Sequence, residues 1–156
     1  MWTAIEMRTT RGISRSRGFF ATERADAFLS RRRTYELFAG YRGVSQDLGN
    51  PIVGALNTRP KYPVSTALTE TRWATTTVLS GDVGAAMAEL KAKPRGERQV
   101  HGSGVVTRWL LEHDLVDEMD LLIVTVLVGE GMRRFPDAGP DIALDLVDSR
   151  AFPRRA

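Results

Sequence analysis

An alternation of strand-like and helix-like segments over residues 75–128 constrains the fold of this chain more than any other feature. In order, it consists of a β-branched run (75–79), an amphipathic segment (83–90), a short strand-like run (98–101), a second amphipathic segment (105–113) and the most apolar segment of the chain (119–128). Two consecutive strand–helix–strand crossovers pack right-handed on a parallel sheet. The sequence therefore predicts a three-layer α/β domain whose mostly parallel sheet has helices on both faces.

Turn and capping residues separate these segments. Residues 80–82 (Ser-Gly-Asp) precede the first amphipathic segment, and residues 102–104 (Gly-Ser-Gly) precede the second. Upstream, apolar positions over 25–38 recur at roughly helical spacing after a candidate cap at Thr22, which predicts one helix or two pieces with a turn near Ser30. The other predicted elements are a helix over 52–56, a strand over 62–66 and a last strand over 142–147.

The first 20 residues differ in composition from the rest. They are rich in Arg, Thr, Ser and Gly and have few apolar positions at any period. Because so little apolar surface cannot offset the entropy lost on ordering, we expect residues 1–20 to be an Arg-rich arm or tail. Residues 21–156 are expected to form the single folded domain.

Composition excludes several kinds of protein. The chain has no cysteine and two histidines, so a disulfide scaffold and Cys-based metal centres are excluded, and no metal site is expected. No stretch approaches the roughly 18 continuous apolar residues of a membrane span, and residues 1–20 have no apolar core of a secretory signal. We therefore expect a cytoplasmic protein with no membrane partner.

The positive charge is confined to the start of the chain. Residues 1–42 carry nine arginines and four acids, whereas the remainder carries 13 basic and 15 acidic residues. Nucleic-acid-binding domains usually have a basic face throughout, so nucleic acid is not an expected partner.

The turn Gly102-Ser103-Gly104 stands between a predicted strand and a predicted helix. Open α/β sheets bind ligands at the carboxyl ends of their strands, and the free N–H groups of a helix start favour phosphate. Two glycines allow close backbone approach, and the Ser103 hydroxyl can donate a hydrogen bond. The turn is a candidate phosphate site, and a turn without ligand is an equal alternative. It is not the nucleophile elbow of a hydrolase, which has glycine where His101 stands.

A second candidate is the run Arg31-Arg32-Arg33-Thr34. Three guanidinium groups and a hydroxyl near a helix start suit a phosphate monoester such as the 2′-phosphate of NADPH, and a solvated run of charge is the alternative. Ser65 closes a predicted strand, where its hydroxyl can reach the same phosphate or cap the backbone. Neither His101 nor Glu130 is assigned as a general acid or base, so the catalytic residues are unknown.

Four segments match a known pattern in order: Phe28-Leu29-Ser30-Arg31-Arg32-Arg33-Thr34-Tyr35-Glu36-Leu37-Phe38, Lys61-Tyr62-Pro63-Val64-Ser65, Val100-His101-Gly102-Ser103-Gly104, and Leu115-Val116-Asp117-Glu118 with residues 126–136. Together they resemble the RibD C-terminal domain family, the dihydrofolate-reductase-like reductases of riboflavin biosynthesis and their relatives. The resemblance extends over roughly Glu23 to Phe152.

The resemblance implies a dihydrofolate-reductase-like homodimer that binds NADPH and passes a hydride to a small pteridine- or pyrimidine-type substrate, as 5-amino-6-(5-phosphoribosylamino)uracil reductase does. It also implies a set of cofactor-binding residues. These are Arg32, Arg33 and Thr34 on the phosphate side, Ser65 by the adenosine, Gly102, Ser103 and Gly104 under the pyrophosphate, and Gly129 and Gly131 beside the nicotinamide cleft.

Two departures from the family pattern support an alternative. Arg31 stands where the family has glycine, and residues 1–20 contain no apolar strand with the Ser-x-Asp-Gly-like segment that shapes the substrate pocket. The C-terminus is also shorter than in relatives. The alternative is a degenerate, non-catalytic paralogue that keeps the fold, with or without nucleotide binding.

Overall fold

The computed structural model describes residues 5–9, 22, 25–41, 49–93, 96–102, 104–121, 135 and 141–149. Its elements in chain order are β1 (Ile5–Thr9), β2 (Ala25–Arg31), α1 (Arg32–Tyr41), α2 (Pro51–Thr58), β3 (Lys61–Val64), α3 (Val83–Ala92), β4 (Glu97–His101), α4 (Gly104–Glu112) and β5 (Glu118–Leu121).

The described strands form one sheet in the order β3-β2-β4-β1-β5. β2 pairs in parallel with β3 and β4, whereas β1 pairs antiparallel with both β4 and β5. β5 therefore runs in the same direction as β4, so the crossover that carries α4 joins two strands of one direction. The predicted α/β class, with its parallel strands and intervening helices, is confirmed.

Residues 75–79, predicted as a strand, lie extended beside β3 and form only isolated bridges to it. The bridges are parallel and pair Lys61 with Thr76 and Val64 with Leu79. Four backbone hydrogen bonds of 2.9–3.0 Å join this segment to β3 and the residue after it. Thr75 has a φ of 57°, outside the extended region, and this irregular start interrupts the ladder.

The predicted helix over 25–38 is in fact a strand followed by a helix. Ala25–Arg31 form β2, and the helical backbone begins only at Arg32, close to the expected turn near Ser30. The four residues 27–30 are all buried, because β2 is covered on both faces of the sheet. A strand that is buried on both faces has consecutive apolar residues, and such a run cannot be distinguished from a buried helix by periodicity alone. For this reason the sequence pattern predicted a helix here.

The expectation of an Arg-rich arm or tail over residues 1–20 does not hold for Ile5–Thr9. These residues form β1, which lies between β4 and β5 with Glu6 opposite His101. Pairing along both edges satisfies the backbone N–H and C=O groups of the strand. The rest of residues 1–20 lies outside the described residues, and the domain boundary at residue 21 stays a prediction.

Two of the helices begin at N-cap residues that the local sequence supplies. Asn50 caps α2 through its side-chain oxygen, which accepts from Ile52 N at 3.0 Å, and Pro51 occupies the first turn. Asp82 caps α3 by accepting from Ala85 N at 2.9 Å. The helices predicted over 52–56, 83–90 and 105–113 are confirmed with small shifts of their ends. None of the described helices has the length and apolar character to span a bilayer.

Two apolar clusters form the core, and neighbouring residues of β2 contribute to different ones. Leu29 belongs to a cluster with residues of β4, α3 and α4, whereas Phe28 belongs to a cluster with residues of α1 and α2. Consecutive side chains of a strand point to opposite faces, so the two clusters lie on the two faces of the sheet.

The predicted last strand over 142–147 is wrong. Residues 141–149 have no regular secondary structure and are exposed, with Leu146 at 85%. β propensity produces a strand only where the segment finds a partner strand and a face to bury. The strand predicted over 119–128 is present as β5 through Leu121, and its remainder lies outside the described residues.

Candidate functional site

The carboxyl ends of the three parallel strands bring together segments that are far apart in the sequence. β2 ends at Arg31 and leads directly into α1, β3 ends at Val64 before Ser65, and β4 ends at His101 before Gly102. Arg31 and Val64 are register partners across β2 and β3. This edge is the usual ligand position in an open α/β sheet.

Gly102 and Thr34 are close neighbours at this edge. A β-carbon built on Gly102 would stand 3.4 Å from Thr34 Oγ1 and 3.9 Å from its Cγ2. Gly102 also has a φ of 69°, a left-handed conformation that favours glycine. Since Thr34 is in the first turn of α1 and Gly102 precedes α4, two helix N-termini lie side by side here. Their free N–H groups and dipoles favour an anion.

The three arginines at the end of β2 have different surroundings. Arg31 is exposed and lines a groove of about 200 Å³. The Nη1 atom of Arg32 lies 3.1 Å from Glu36 Oε1 one turn along α1, and both side chains are 45% exposed. Arg33 is exposed in the first turn of α1. The run that looks like one cluster in the sequence therefore divides between a groove and a helix surface.

The groove lies between α3 and α4 on the Leu29 face of the sheet. Apart from Arg31, its lining is apolar and consists of Leu29, Val64, Val83, Met87, Val105, Val106, Trp109 and Leu110. Trp109 is held from two sides. A β-carbon at Gly84 of α3 would lie 3.9 Å from the indole, and the His113 ring stacks on it with centroids 4.1 Å apart. Trp109 thus forms one wall of the groove.

Ser65 lies where the sequence predicts it, at the end of β3. Its Oγ accepts hydrogen bonds from Ala67 N and Leu68 N, both at 3.0 Å. The structure therefore shows the backbone-capping alternative for its oxygen. The hydroxyl hydrogen is still a donor, because a serine hydroxyl accepts twice and donates once.

A line of polar side chains runs along β4 on the face opposite the groove. Glu97 Oε1 accepts from Gln99 Nε2, and Gln99 Oε1 lies 3.0 Å from His101 Nε2. The amide nitrogen of Gln99 faces the Glu97 carboxylate, so the amide oxygen of Gln99 faces His101. This oxygen accepts a hydrogen bond that the imidazole donates from Nε2. The neutral tautomer with hydrogen on Nε2 follows from this network.

His101 is turned away from the groove. Its ring packs edge-on against Phe28 and Phe38, with centroid distances of 5.2 and 6.0 Å. Burial lowers the pKa of His101 from 6.5 to about 4, because desolvation disfavours the charged imidazolium. The ring is therefore neutral at pH 7 and is not a general acid for chemistry in the groove.

Lys61 is a buried cation to which sequence reasoning assigned no role. It is 3% exposed, and its Nζ donates to Arg59 O at 2.7 Å, Ala74 O at 3.0 Å and Thr75 Oγ1 at 2.8 Å. Burial lowers its pKa from 10.5 to about 8. The sequence signal for this buried lysine was its position between a predicted helix and a predicted strand. Since Lys61 begins β3, it lies at the other end of that strand from Ser65 and outside the candidate site.

Other predicted site residues lie outside the described residues. These are Ser103, Gly129, Glu130 and Gly131, and their placement stays a prediction. Within the part of the chain that the structure describes, no group of three or more His, Asp and Glu side chains is placed to hold a metal ion.

The α/β sheet with its intervening helices is consistent with the dihydrofolate-reductase-like class of domains. The model of the RibD C-terminal domain matches residues 41–156, which include β3, β4, the helices around them and β5. The chain therefore belongs to the RibD C-terminal domain family, whose fold is that of reductases of the riboflavin pathway. The match begins at the end of α1, so the arginine run precedes it. A search of the curated proteins finds no match.

Proposed function

We propose that the protein binds NADPH along the carboxyl edge of β2, β3 and β4 and reduces a small pteridine- or pyrimidine-type substrate. Members of its family are NADPH-dependent reductases, as 5-amino-6-(5-phosphoribosylamino)uracil reductase is. The bound cofactor would supply the hydride, and the chain's own residues bind it, orient it and exclude water. A cytoplasmic homodimer remains part of the prediction.

The approach of Gly102 to Thr34 carries this proposal. It places the starts of α1 and α4 beside each other, and each start offers backbone N–H donors that no residue of its own helix can satisfy. The Thr34 hydroxyl adds a donor. A β-carbon at Gly102 would already touch Thr34, so a larger side chain would extend into the space that a diphosphate needs. The residues present therefore fit a dinucleotide pyrophosphate.

The groove beside this edge suits the adenosine part of the cofactor. Its lining is apolar, which matches an adenine ring, and Trp109 offers an aromatic wall. Ser65 and Arg31 stand at the carboxyl ends of the two strands that border it. Binding in such a groove removes the ring from water while the phosphates stay at the charged edge.

A thermal-shift titration tests the proposal. NADPH should raise the melting temperature of the purified chain in a saturable way, corresponding to about 2.7 kcal/mol at a hundred times its dissociation constant. Removing residues 1–4, which precede β1, should leave this shift unchanged. A folded chain whose melting temperature does not respond to NADPH overturns the proposal.

The sequence of β1 favours a second candidate, a paralogue that binds the dinucleotide without turnover. In the family pattern the first strand carries the Ser-x-Asp-Gly-like segment that shapes the substrate pocket. β1, with the sequence Ile5-Glu6-Met7-Arg8-Thr9, carries no such segment. NADPH oxidation in the presence of a dihydropteridine or a ribosylated aminopyrimidine would exclude this candidate. Saturable binding without oxidation of NADPH would support it.

A further inference from the structure

We propose that Arg31 selects the 2′-phosphate of the dinucleotide, a role that the family resemblance assigns to Arg32 and Arg33. Arg31 occupies the position where the family pattern has glycine, so this chain would read the phosphate with a side chain that the pattern lacks. The inference rests on the proposed function, since it concerns the same groove and the same cofactor.

The position of Arg31 supports this assignment. It is the last residue of β2 and the register partner of Val64 at the end of β3. Its side chain is exposed and lines the groove together with Val105 and Trp109. The other lining residues are apolar, so Arg31 is the charged group among the described residues of this groove. An anion on a ligand whose ring lies in the groove would find its charge partner there.

Arg32 is engaged elsewhere. Its guanidinium is paired with Glu36 at 3.1 Å along the surface of α1. To hold a phosphate, Arg32 would have to leave this pair, and the dianion would then lie near the Glu36 carboxylate, which repels it. Arg31 is in β2 and lies outside this ion pair. Arg32, one of the two arginines that the family pattern implicates, thus starts from a less favourable arrangement than Arg31.

The comparison of NADPH with NADH isolates this interaction, because the two cofactors differ only in the 2′-phosphate. A guanidinium donates two parallel hydrogen bonds to a phosphate, an arrangement that Lys cannot reproduce with its single ammonium group. Arg31→Ala should therefore weaken NADPH about tenfold to a hundredfold and leave NADH within about threefold. Arg31→Lys should retain part of the preference for NADPH.

Calorimetric titration of the full chain with NADPH, NADH and adenosine 2′,5′-bisphosphate provides the test. The variants are Arg31→Ala, Arg31→Lys and Arg32→Ala, the last of which tests the role that the family pattern gives to Arg32. The matched control is Arg59→Ala, at an exposed position directly after α2 and before the start of β3. We expect Arg31→Ala to abolish the preference for NADPH over NADH and to weaken the bisphosphate equally. Arg32→Ala should change each dissociation constant by less than about threefold, because its guanidinium lies beside Glu36 on α1 and does not line the groove.

The outcomes separate this inference from the function on which it rests. If wild type binds NADPH but Arg31→Ala keeps the full preference over NADH, the Arg31 assignment is overturned while the proposed function stands. A wild type that binds both dinucleotides equally also overturns the assignment. If neither dinucleotide binds the folded wild type, the proposed function is overturned and the assignment with it. The unliganded melting temperature of each variant reports whether it is folded, and Arg31→Lys keeps the test decisive if Arg31→Ala does not fold.

Discussion

The ammonium group of Lys61 lies 4.7 Å above the centroid of the Trp73 ring. The same group donates hydrogen bonds to the carbonyls of Arg59 and Ala74, so one cation joins the end of α2, the start of β3 and the segment that runs beside it. Trp73 is itself anchored by its indole N–H, which donates to Asn57 Oδ1 at 2.8 Å. This joint stabilises the sheet at the end remote from the candidate site.

Replacing Lys61 by Met should therefore lower stability without changing cofactor affinity. The substitution removes the charged hydrogen bonds from Nζ to the carbonyls of Arg59 and Ala74 and the contact of the ammonium group with the Trp73 ring. Their loss costs about 2–4 kcal/mol in the free energy of unfolding. Urea denaturation followed by tryptophan fluorescence measures the loss. The matched control is Lys93→Met at an exposed position, which should stay within about 0.5 kcal/mol of wild type. Equal urea midpoints for Lys61→Met and wild type would contradict the assigned role.

His101 should make the protein sensitive to acid. Its folded-state pKa, about 4, lies below the ordinary 6.5, so the unfolded chain takes up a proton before the folded one does. The free energy of unfolding should fall as the pH decreases from about 6.5 to about 4, by about 3 kcal/mol in total from this residue. Urea midpoints across that pH range give the slope.

The matched variants for this pH effect are the two histidines changed singly. His101→Gln should lose the slope that this residue contributes, whereas His113→Gln, altered at an exposed position directly after α4, should keep it. If His101→Gln and wild type lose stability in parallel as the pH decreases, desolvation of His101 is not the cause.

Trp109 should report ligand binding in the groove. An adenine ring placed against its indole should quench tryptophan emission, and Trp109→Ala should weaken NADPH by about fivefold to a hundredfold. Trp73, 7% exposed in the core on the other face of the sheet, is the internal reference whose emission should not respond. The quenching should persist in Trp73→Phe and disappear in Trp109→Phe. The reverse pattern would place the ligand away from the groove.

Gly102 and Gly81 allow backbone strain to be separated from crowding of the site. Both have positive φ, 69° and 80°, so alanine at either position should cost about 1 kcal/mol or more of stability. The two positions differ in their surroundings. A β-carbon at Gly102 would contact Thr34, whereas nothing lies within 4 Å of a β-carbon at Gly81. Calorimetric titration should therefore show weaker NADPH binding for Gly102→Val and unchanged binding for the matched variant Gly81→Val. Equal NADPH affinity in the two variants would remove Gly102 from the phosphate site.

Local sequence patterns were sufficient for α2, α3 and α4 and for the parallel strands β3 and β4. The caps at Asn50 and Asp82 and the amphipathic periods of α3 and α4 are properties of neighbouring residues, so they can be read without the fold. The segment Gly102–Gly104 was likewise recognised because a strand and a helix flank it, and the family was recognised from motifs in order.

Contacts between segments that are distant in the sequence decided which of the remaining segments form strands and which arginine faces the groove. Residues 25–31 are a strand because both faces of the sheet bury them, and Ile5–Thr9 are a strand because β4 and β5 offer two edges. Residues 142–147 have similar propensity but are exposed and join none of the described strands. Which arginine of the run faces the groove depends on where β2 ends and α1 begins. Strand pairing and groove formation depend on burial against residues tens of positions away, and periodicity within a segment carries no information about those partners.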